Sequence, residues 1–148
     1  MFKTYQMTNK LFQPSPSAWS IDTALLIARL GTGIFMLTHG IPKLNMLLSG
    51  SAIQFPPVFG LSAELSLGMA VLTEIGCSLL LIFGLATRLA VIPLIITMLV
   101  AAFVFHANDP FSMQEPALLY LIGYSVLLMS GGGRFSVDYL IHRKLARA

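Results

Sequence analysis

The chain has 148 residues, of which 56% are apolar and only 10% are Lys, Arg, Asp or Glu. An average soluble domain carries about 25% charged residues, so this composition cannot cover the exterior of a soluble protein of the same length. It argues against a cytosolic enzyme, a nucleic-acid-binding protein and a disordered linker. The single cysteine, Cys77, excludes a disulfide framework and a four-cysteine zinc site.

Four apolar segments follow a polar, proline-containing segment, 1–20, that we expect to be a cytoplasmic tail. A helix needs about 20 mostly apolar residues to cross the roughly 30 Å of bilayer hydrocarbon. The segments of about this length are 21–39, 62–83, 89–106 and 116–133. Residues 40–61 form the outer loop, and its segment 46–61 contains adjacent prolines and is too broken to span, so we expect this segment to be a partial lid. The sequence therefore predicts an all-α four-helix transmembrane bundle over 21–133.

The basic residues indicate how the bundle is oriented. With four crossings, most of them fall on the side of the termini, Lys43 falls on the other side, and Arg29 lies inside the first helix. Basic residues are retained in the cytoplasm, so both termini should be cytoplasmic. In the basic tail, 134–148, Ser136 can cap a short amphipathic helix suited to an anionic inner leaflet, with a frayed tail as the alternative. The residues on the cytoplasmic side are Lys3, Lys10, Arg88, Arg134, Arg143, Lys144 and Arg147.

Two ionisable residues lie inside the predicted spans. Counted from the expected helix ends, Arg29 and Glu74 are each about 14 Å from the cytoplasmic surface, at a rise of about 1.5 Å per residue. Because opposite charges at one depth on antiparallel helices can meet, we expect an intramembrane Arg29–Glu74 ion pair. Such a pair is either a polar staple between two helices or part of a proton or quinone-headgroup site.

A second group of ionisable residues gathers at the other end of the predicted bundle and forms a candidate polar pocket. His39 and His106 end two helices that run in the same direction, so their rings could hold a metal or a haem iron. Ordinary hydrogen-bonded histidines and a role in a substrate site are the alternatives. The pocket comprises His39, Lys43, Glu64, His106, Asp109 and Glu115.

Several short motifs in order resemble the DoxX family of small bacterial membrane proteins. They are Arg29-Leu-Gly, His39-Gly-x-x-Lys43, Glu74, Gly84-Leu-x-Thr-Arg88, Glu115-x-Ala-Leu-x-Tyr-Leu and Gly133-Arg134-x-Ser136-x-Asp138. The resemblance covers about residues 24–140 and implies a four-helix bundle in the bacterial inner membrane. It also implies that Arg29, His39, Lys43, Glu74, Glu115 and, on the cytoplasmic-side turn, Arg88 occupy the family's polar positions.

The resemblance also implies a function. The family's namesake is similar to a subunit of an archaeal quinol oxidase linked to thiosulfate:quinone oxidoreduction, and other members are linked to oxidative-stress complexes. We therefore expect an accessory or quinone-interacting subunit of a membrane redox system, with catalytic residues undefined. Its expected partners are the lipid bilayer, a quinone, another membrane or peripheral redox protein, and further copies of the chain, but no nucleic acid. The alternatives are a non-catalytic scaffold or assembly protein and a small oligomeric transporter.

Overall fold

The computed structural model describes residues 17–147, and this part of the chain is helical without any strand. The helices are α1 (Ala18–Leu48), α2 (Ala63–Phe83), α3 (Thr87–Phe105), α4 (Phe111–Ser130) and α5 (Val137–Leu145). Tight connections join α2 to α3, α3 to α4 and α4 to α5, whereas residues 49–62 form a longer loop. The fold is therefore an all-α bundle followed by one short helix.

Three of these helices, α1, α2 and α3, are long and apolar enough to cross a membrane. Helix α4 has 20 residues, but Gln114 and Glu115 in its early turns make it more polar, and it is not among the three. It packs most extensively against α3 and also contacts α1. Helix α4 thus belongs to the same bundle as the three apolar helices.

Helix α1 is longer than the predicted segment 21–39. It begins after Ser17, whose hydroxyl accepts a hydrogen bond from the backbone N–H of Ser20 at 3.2 Å, so Ser17 caps the helix. Pro42 lies within the helix without ending it, although proline cannot donate the usual backbone hydrogen bond. As a consequence Lys43, expected in a loop, lies on the helix.

The start and end of α2 and the start of α5 agree with the sequence, whereas the ends of α4 differ. Ser62 caps α2 through its hydroxyl, and Ser136 caps α5 in the same way, as predicted for Ser136. Gly84 ends α2 in the left-handed conformation, with φ of 67°. Helix α4 starts at Phe111, earlier than the predicted 116, and ends at Ser130.

Two helices contain a wider π-helical turn. In α2 it covers Leu72–Cys77, and in α3 it covers Ala101–Phe105. Such turns are often found at functional sites, because they change the direction in which the side chains point. Glu74 is the buried residue of the first π turn.

The bundle interior is apolar, and so is most of its outer surface. Met36, Leu81, Leu94 and Leu127 belong to the buried core. Large apolar side chains point outwards from α1 to α4, as is typical of helices that face lipid.

Candidate functional site

An ion pair between α1 and α2 lies inside the bundle. Glu74, only 1% exposed, accepts a hydrogen bond at Oε1 from Nζ of Lys43, whose side chain is 30% exposed. The other carboxylate oxygen, Oε2, is buried and has no hydrogen-bond partner among residues 17–147. A buried carboxylate requires compensation, and Lys43 supplies the positive charge.

The predicted pair between Arg29 and Glu74 is wrong. A Cβ atom on Gly33 would lie 2.7 Å from Ile82, and one on Gly40 would lie 3.1 Å from the Cβ of Glu74. Glu74 is therefore level with Gly40, which is roughly 16 Å along α1 from Arg29. The count of residues from the helix ends failed because it assumed that the start of α1 and the end of α2 lie at the same level. The first turns of α1 instead extend beyond the end of α2.

Arg29 instead binds backbone carbonyl groups. It is fully buried, and its Nη1 donates to the carbonyl oxygens of Leu81 at 3.1 Å and Ile82 at 3.4 Å. Its Nη2 donates to the carbonyl oxygen of Phe135 at 2.6 Å. The carbonyls at the end of a helix lack partners within the helix and carry partial negative charge, so a guanidinium group stabilises them. Arg29 thus caps α2 and joins it to the loop between α4 and α5.

The motifs at 84–88 and 133–138 are hydrogen-bonded to each other at the end of the bundle where Arg29 lies. We call this end of the bundle, with Arg29 and these two segments, the cap end. The carboxylate of Asp138 accepts hydrogen bonds from the backbone N–H groups of Ala86 at 2.7 Å and Thr87 at 2.8 Å, at the start of α3. The backbone N–H of Asp138 donates to the carbonyl of Gly84 at 2.9 Å. The exposed Arg88 donates to the carbonyl of Met129 at 3.1 Å. These contacts give Arg88 and Asp138 a structural role.

Asp22 is a further cap-end residue whose contact the sequence did not reveal. Its carboxylate is buried and accepts a hydrogen bond from the backbone N–H of Arg134 at 2.9 Å. The guanidinium Nε of Arg134 lies 3.5 Å from its second carboxylate oxygen. The sequence shows the motif that contains Arg134, but it does not show that Arg134 contacts Asp22, which lies 112 residues away in the chain.

Two cavities meet at the Lys43–Glu74 pair. The histidine cavity, of about 270 Å³, lies between α1, α3 and α4 and includes His39, His106 and Tyr120 in its wall. The lateral groove, of about 210 Å³, lies between α2 and α3 beneath part of the 49–62 loop. Residues that line both are Lys43, Glu74 and Ala101.

The histidine cavity combines aromatic rings with polar groups. The ring of Tyr120 lies edge-on to His39 with centroids 5.9 Å apart, and it stacks on Tyr124 at 5.8 Å. His106 is held by Asp109, whose Oδ2 is 2.7 Å from its Nδ1. Within residues 17–147, no group of three or more His, Cys, Asp or Glu side chains is placed to hold a metal ion.

The predicted polar pocket is only partly assembled. His39, Lys43 and His106 line the histidine cavity, and Glu74 joins them there. Glu64 and Glu115 are exposed and line neither cavity. Tyr120 and Ala101 were missed, although Tyr120 lies in the motif that begins at Glu115.

The loop covers the lateral groove through aromatic and hydrogen-bonded contacts. The Phe55 ring packs against Phe105 with centroids 6.3 Å apart, and Nζ of Lys43 lies 6.0 Å from the centroid of the Phe55 ring. That distance is within the range of a cation–π interaction. The backbone N–H of Val58 donates to the hydroxyl of Ser66 at 3.0 Å. These contacts hold residues 55–58 over the groove.

Comparison with known proteins agrees with the resemblance to the DoxX family that the sequence motifs indicate. The DoxX family model matches residues 24–107, which cover most of α1 and all of α2 and α3. The inner membrane protein YqjF of Escherichia coli (strain K12) is 28% identical over 129 residues, covering 83% of this chain and 95% of the relative. An uncharacterized protein of Haemophilus influenzae is 30% identical over 127 residues, covering 81% and 84% respectively. No solved structure matches. The chain therefore belongs to the DoxX family and is a multi-pass protein of the bacterial inner membrane.

Proposed function

We propose that this DoxX protein binds the ring of a membrane quinone at the Lys43–Glu74 pair, as an accessory subunit of a quinone-linked redox system. The observation that carries the proposal is a buried carboxylate with one unbonded oxygen, beside a cation, where two cavities meet. A quinone presents carbonyl oxygens, to which the ammonium of Lys43 can donate. A quinol presents hydroxyl groups, from which Oε2 of Glu74 can accept. The pair can therefore bind both redox forms.

The surroundings of the pair favour such a ligand. Tyr120 and His39 provide aromatic surface and hydrogen-bonding groups in the histidine cavity. Binding sites for small molecules are typically apolar with a few well-placed polar groups. In this proposal electrons pass between the quinone and a partner redox protein, while the residues of this chain bind and orient the ring.

We further propose four crossings with both termini in the cytoplasm. Helix α4 serves as the fourth crossing, because it packs along α3 and is apolar beyond Pro116. The cap end then lies towards the cytoplasm and the histidine cavity lies towards the periplasm. This arrangement places the quinone ring in the outer half of the bilayer.

Binding of a long-chain ubiquinone to the protein in lipid nanodiscs tests the proposal. Glu74→Gln and Lys43→Met should each weaken binding by about tenfold or more, since each removes a charged hydrogen-bonding group worth roughly 1.5–3 kcal/mol. The matched controls Glu64→Gln and Lys144→Met change exposed residues outside both cavities and should bind like the wild type. Thermal unfolding of each variant identifies a loss that comes from misfolding.

Two results would contradict the proposal. One is a wild-type protein that binds no quinone, which would favour a scaffold or an oligomeric transporter. The other is undiminished binding by folded Glu74→Gln and Lys43→Met proteins.

A further inference from the structure

The lateral groove is apolar along its length and polar at one end. Apart from the ion pair, it is lined mainly by aliphatic and aromatic side chains such as Met69, Ile96 and Phe105. Its other polar side chains are those of Ser66, Thr73 and Thr97. The hydroxyls of Ser66 and Thr97 are already bonded to the backbone of Val58 and Pro93, and Thr73 directly precedes Glu74. An occupant that fits this groove is apolar throughout, except where it reaches the Lys43–Glu74 pair.

The groove opens towards lipid between α2 and α3. Met69 on α2 and Ile96 on α3 line it and are also exposed on the outer surface of the bundle. Phe59 of the loop is exposed as well and lies along the same groove. A hydrophobic chain dissolved in the bilayer can therefore enter from the side.

The groove and the histidine cavity adjoin at the ion pair, which lines both of them. Ala101, at the start of the π turn of α3, lines both and leaves space beside Lys43 and Glu74 because its side chain is small. One ligand can thus occupy both spaces, with its polar end in the histidine cavity and its apolar end in the groove.

We propose that the lateral groove holds the isoprenoid chain of the quinone whose ring occupies the histidine cavity, so that the ligand is a long-chain membrane quinone. This inference rests on the proposed function. It adds that the isoprenoid chain contributes to quinone affinity, because its first isoprene units are buried against α2, α3 and the loop.

The test compares two probes, a long-chain ubiquinone and the same ring with a methyl group in place of the chain. Ala70→Phe fills the groove, since Ala70 lines the groove and not the histidine cavity. It should weaken binding of the long-chain probe by about tenfold and change binding of the methyl probe by less than about twofold. The matched control Ala24→Phe places the same side chain on an exposed position of α1 and should leave both affinities unchanged.

A second variant allows the same test if Ala70→Phe does not fold. Ile96→Trp adds bulk at the rim of the groove, where Ile96 is 50% exposed, and should again weaken only the long-chain probe. Its control, Ile34→Trp, changes a residue that is 51% exposed on α1 and lines neither cavity.

The outcomes separate this inference from the proposed function. If the folded groove variants bind both probes more weakly to the same extent, or bind both as the wild type does, the isoprenoid chain does not lie in the groove. The inference is then overturned, while quinone binding by the protein stands. If mass spectrometry shows that Ala70→Phe displaces a co-purified phospholipid and leaves quinone affinity intact, the groove holds an acyl chain instead. If the wild-type protein binds neither probe, both proposals fail.

Discussion

Within residues 17–147, buried charges lie at two separate places, the cap end and the Lys43–Glu74 pair, and their partners differ. The guanidinium of Arg29 is bonded to three backbone carbonyl groups, which fixes its position. The carboxylate of Glu74 has one bonded and one unbonded oxygen. Nε of Arg29 is buried and unbonded as well, but Arg29 lines neither cavity, whereas Glu74 lines both. Arg29 is accordingly structural, whereas Glu74 remains able to accept a hydrogen bond from a ligand.

Replacing Arg29 by lysine should destabilise the protein without affecting the ligand site. Lysine lacks the planar, forked donors that reach the carbonyls of Leu81 and Phe135 together, so we expect a loss of about 1–3 kcal/mol in unfolding free energy. Quinone affinity should stay unchanged, because Arg29 is roughly 16 Å from Glu74 along α1. Chemical unfolding in detergent micelles measures the first effect, and the binding assay measures the second.

The matched control is Arg134→Lys, whose parent side chain is 62% exposed and should change stability by less than about 0.5 kcal/mol. A folded Arg29→Lys protein as stable as the wild type would contradict the capping role.

These two charges also show how far residue-level prediction reaches. The cost of charge in a bilayer correctly indicated that Arg29 and Glu74 lie inside the bundle. Their pairing depended on the register between α1 and α2, which is set by close contacts such as that of Gly40 with Glu74. Such contacts are not visible in a single sequence.

At the scale of elements, the connection between α2 and α3 depends on Gly84. Its φ of 67° favours glycine, and a Cβ atom there would lie 2.1 Å from Nη1 of Arg29. The turn therefore combines an unusual backbone conformation with a close approach by the guanidinium group.

Gly84→Ala should be much more destabilising than Gly50→Ala. Gly50 has nearly the same φ of 66° but no atom within 4 Å of its would-be Cβ, so it reports backbone strain alone, about 1 kcal/mol. At Gly84 the displaced Arg29 should add a further loss of about 1–3 kcal/mol. Unfolding midpoints of the two variants measure the difference, and equal midpoints would show that the guanidinium group moves aside without cost.

Element boundaries were predictable where a side chain or glycine marks them directly. Ser62, Gly84 and Ser136 each lie at a predicted helix end. The extension of α1 through Pro42 was missed, since packing against α2 overrides the local preference of proline. The π turns were missed as well, because they leave no periodic signal in the sequence.

At the scale of the whole molecule, the distribution of basic residues predicts which face meets the cytoplasm. In a Cys77→Ser background, a single cysteine at Ser51 should react with a membrane-impermeant maleimide applied from the periplasmic side. A single cysteine at Lys144 should react only after the inner membrane is disrupted, because the proposed orientation places α5 and its basic residues on the cytoplasmic side. Labelling at both positions from the same side would contradict four crossings.

The overall class followed from composition, whereas the site did not. Few charges and long apolar segments are sufficient to predict an all-helical membrane protein. Predicting the site would have required knowing which helix faces meet. The sequence grouped Glu64 and Glu115 with the two histidines, whereas in the structure both are exposed and lie outside the histidine cavity.

The cap end also determines when the bundle can close during synthesis. Arg29 receives one of its carbonyl partners from Phe135, 106 residues later in the chain, and the first amides of α3 receive theirs from Asp138. When α1, α2 and α3 leave the ribosome, these groups are still incompletely bonded. The hydrogen bonds of the cap end can therefore form only after residues 135–138 have been synthesised.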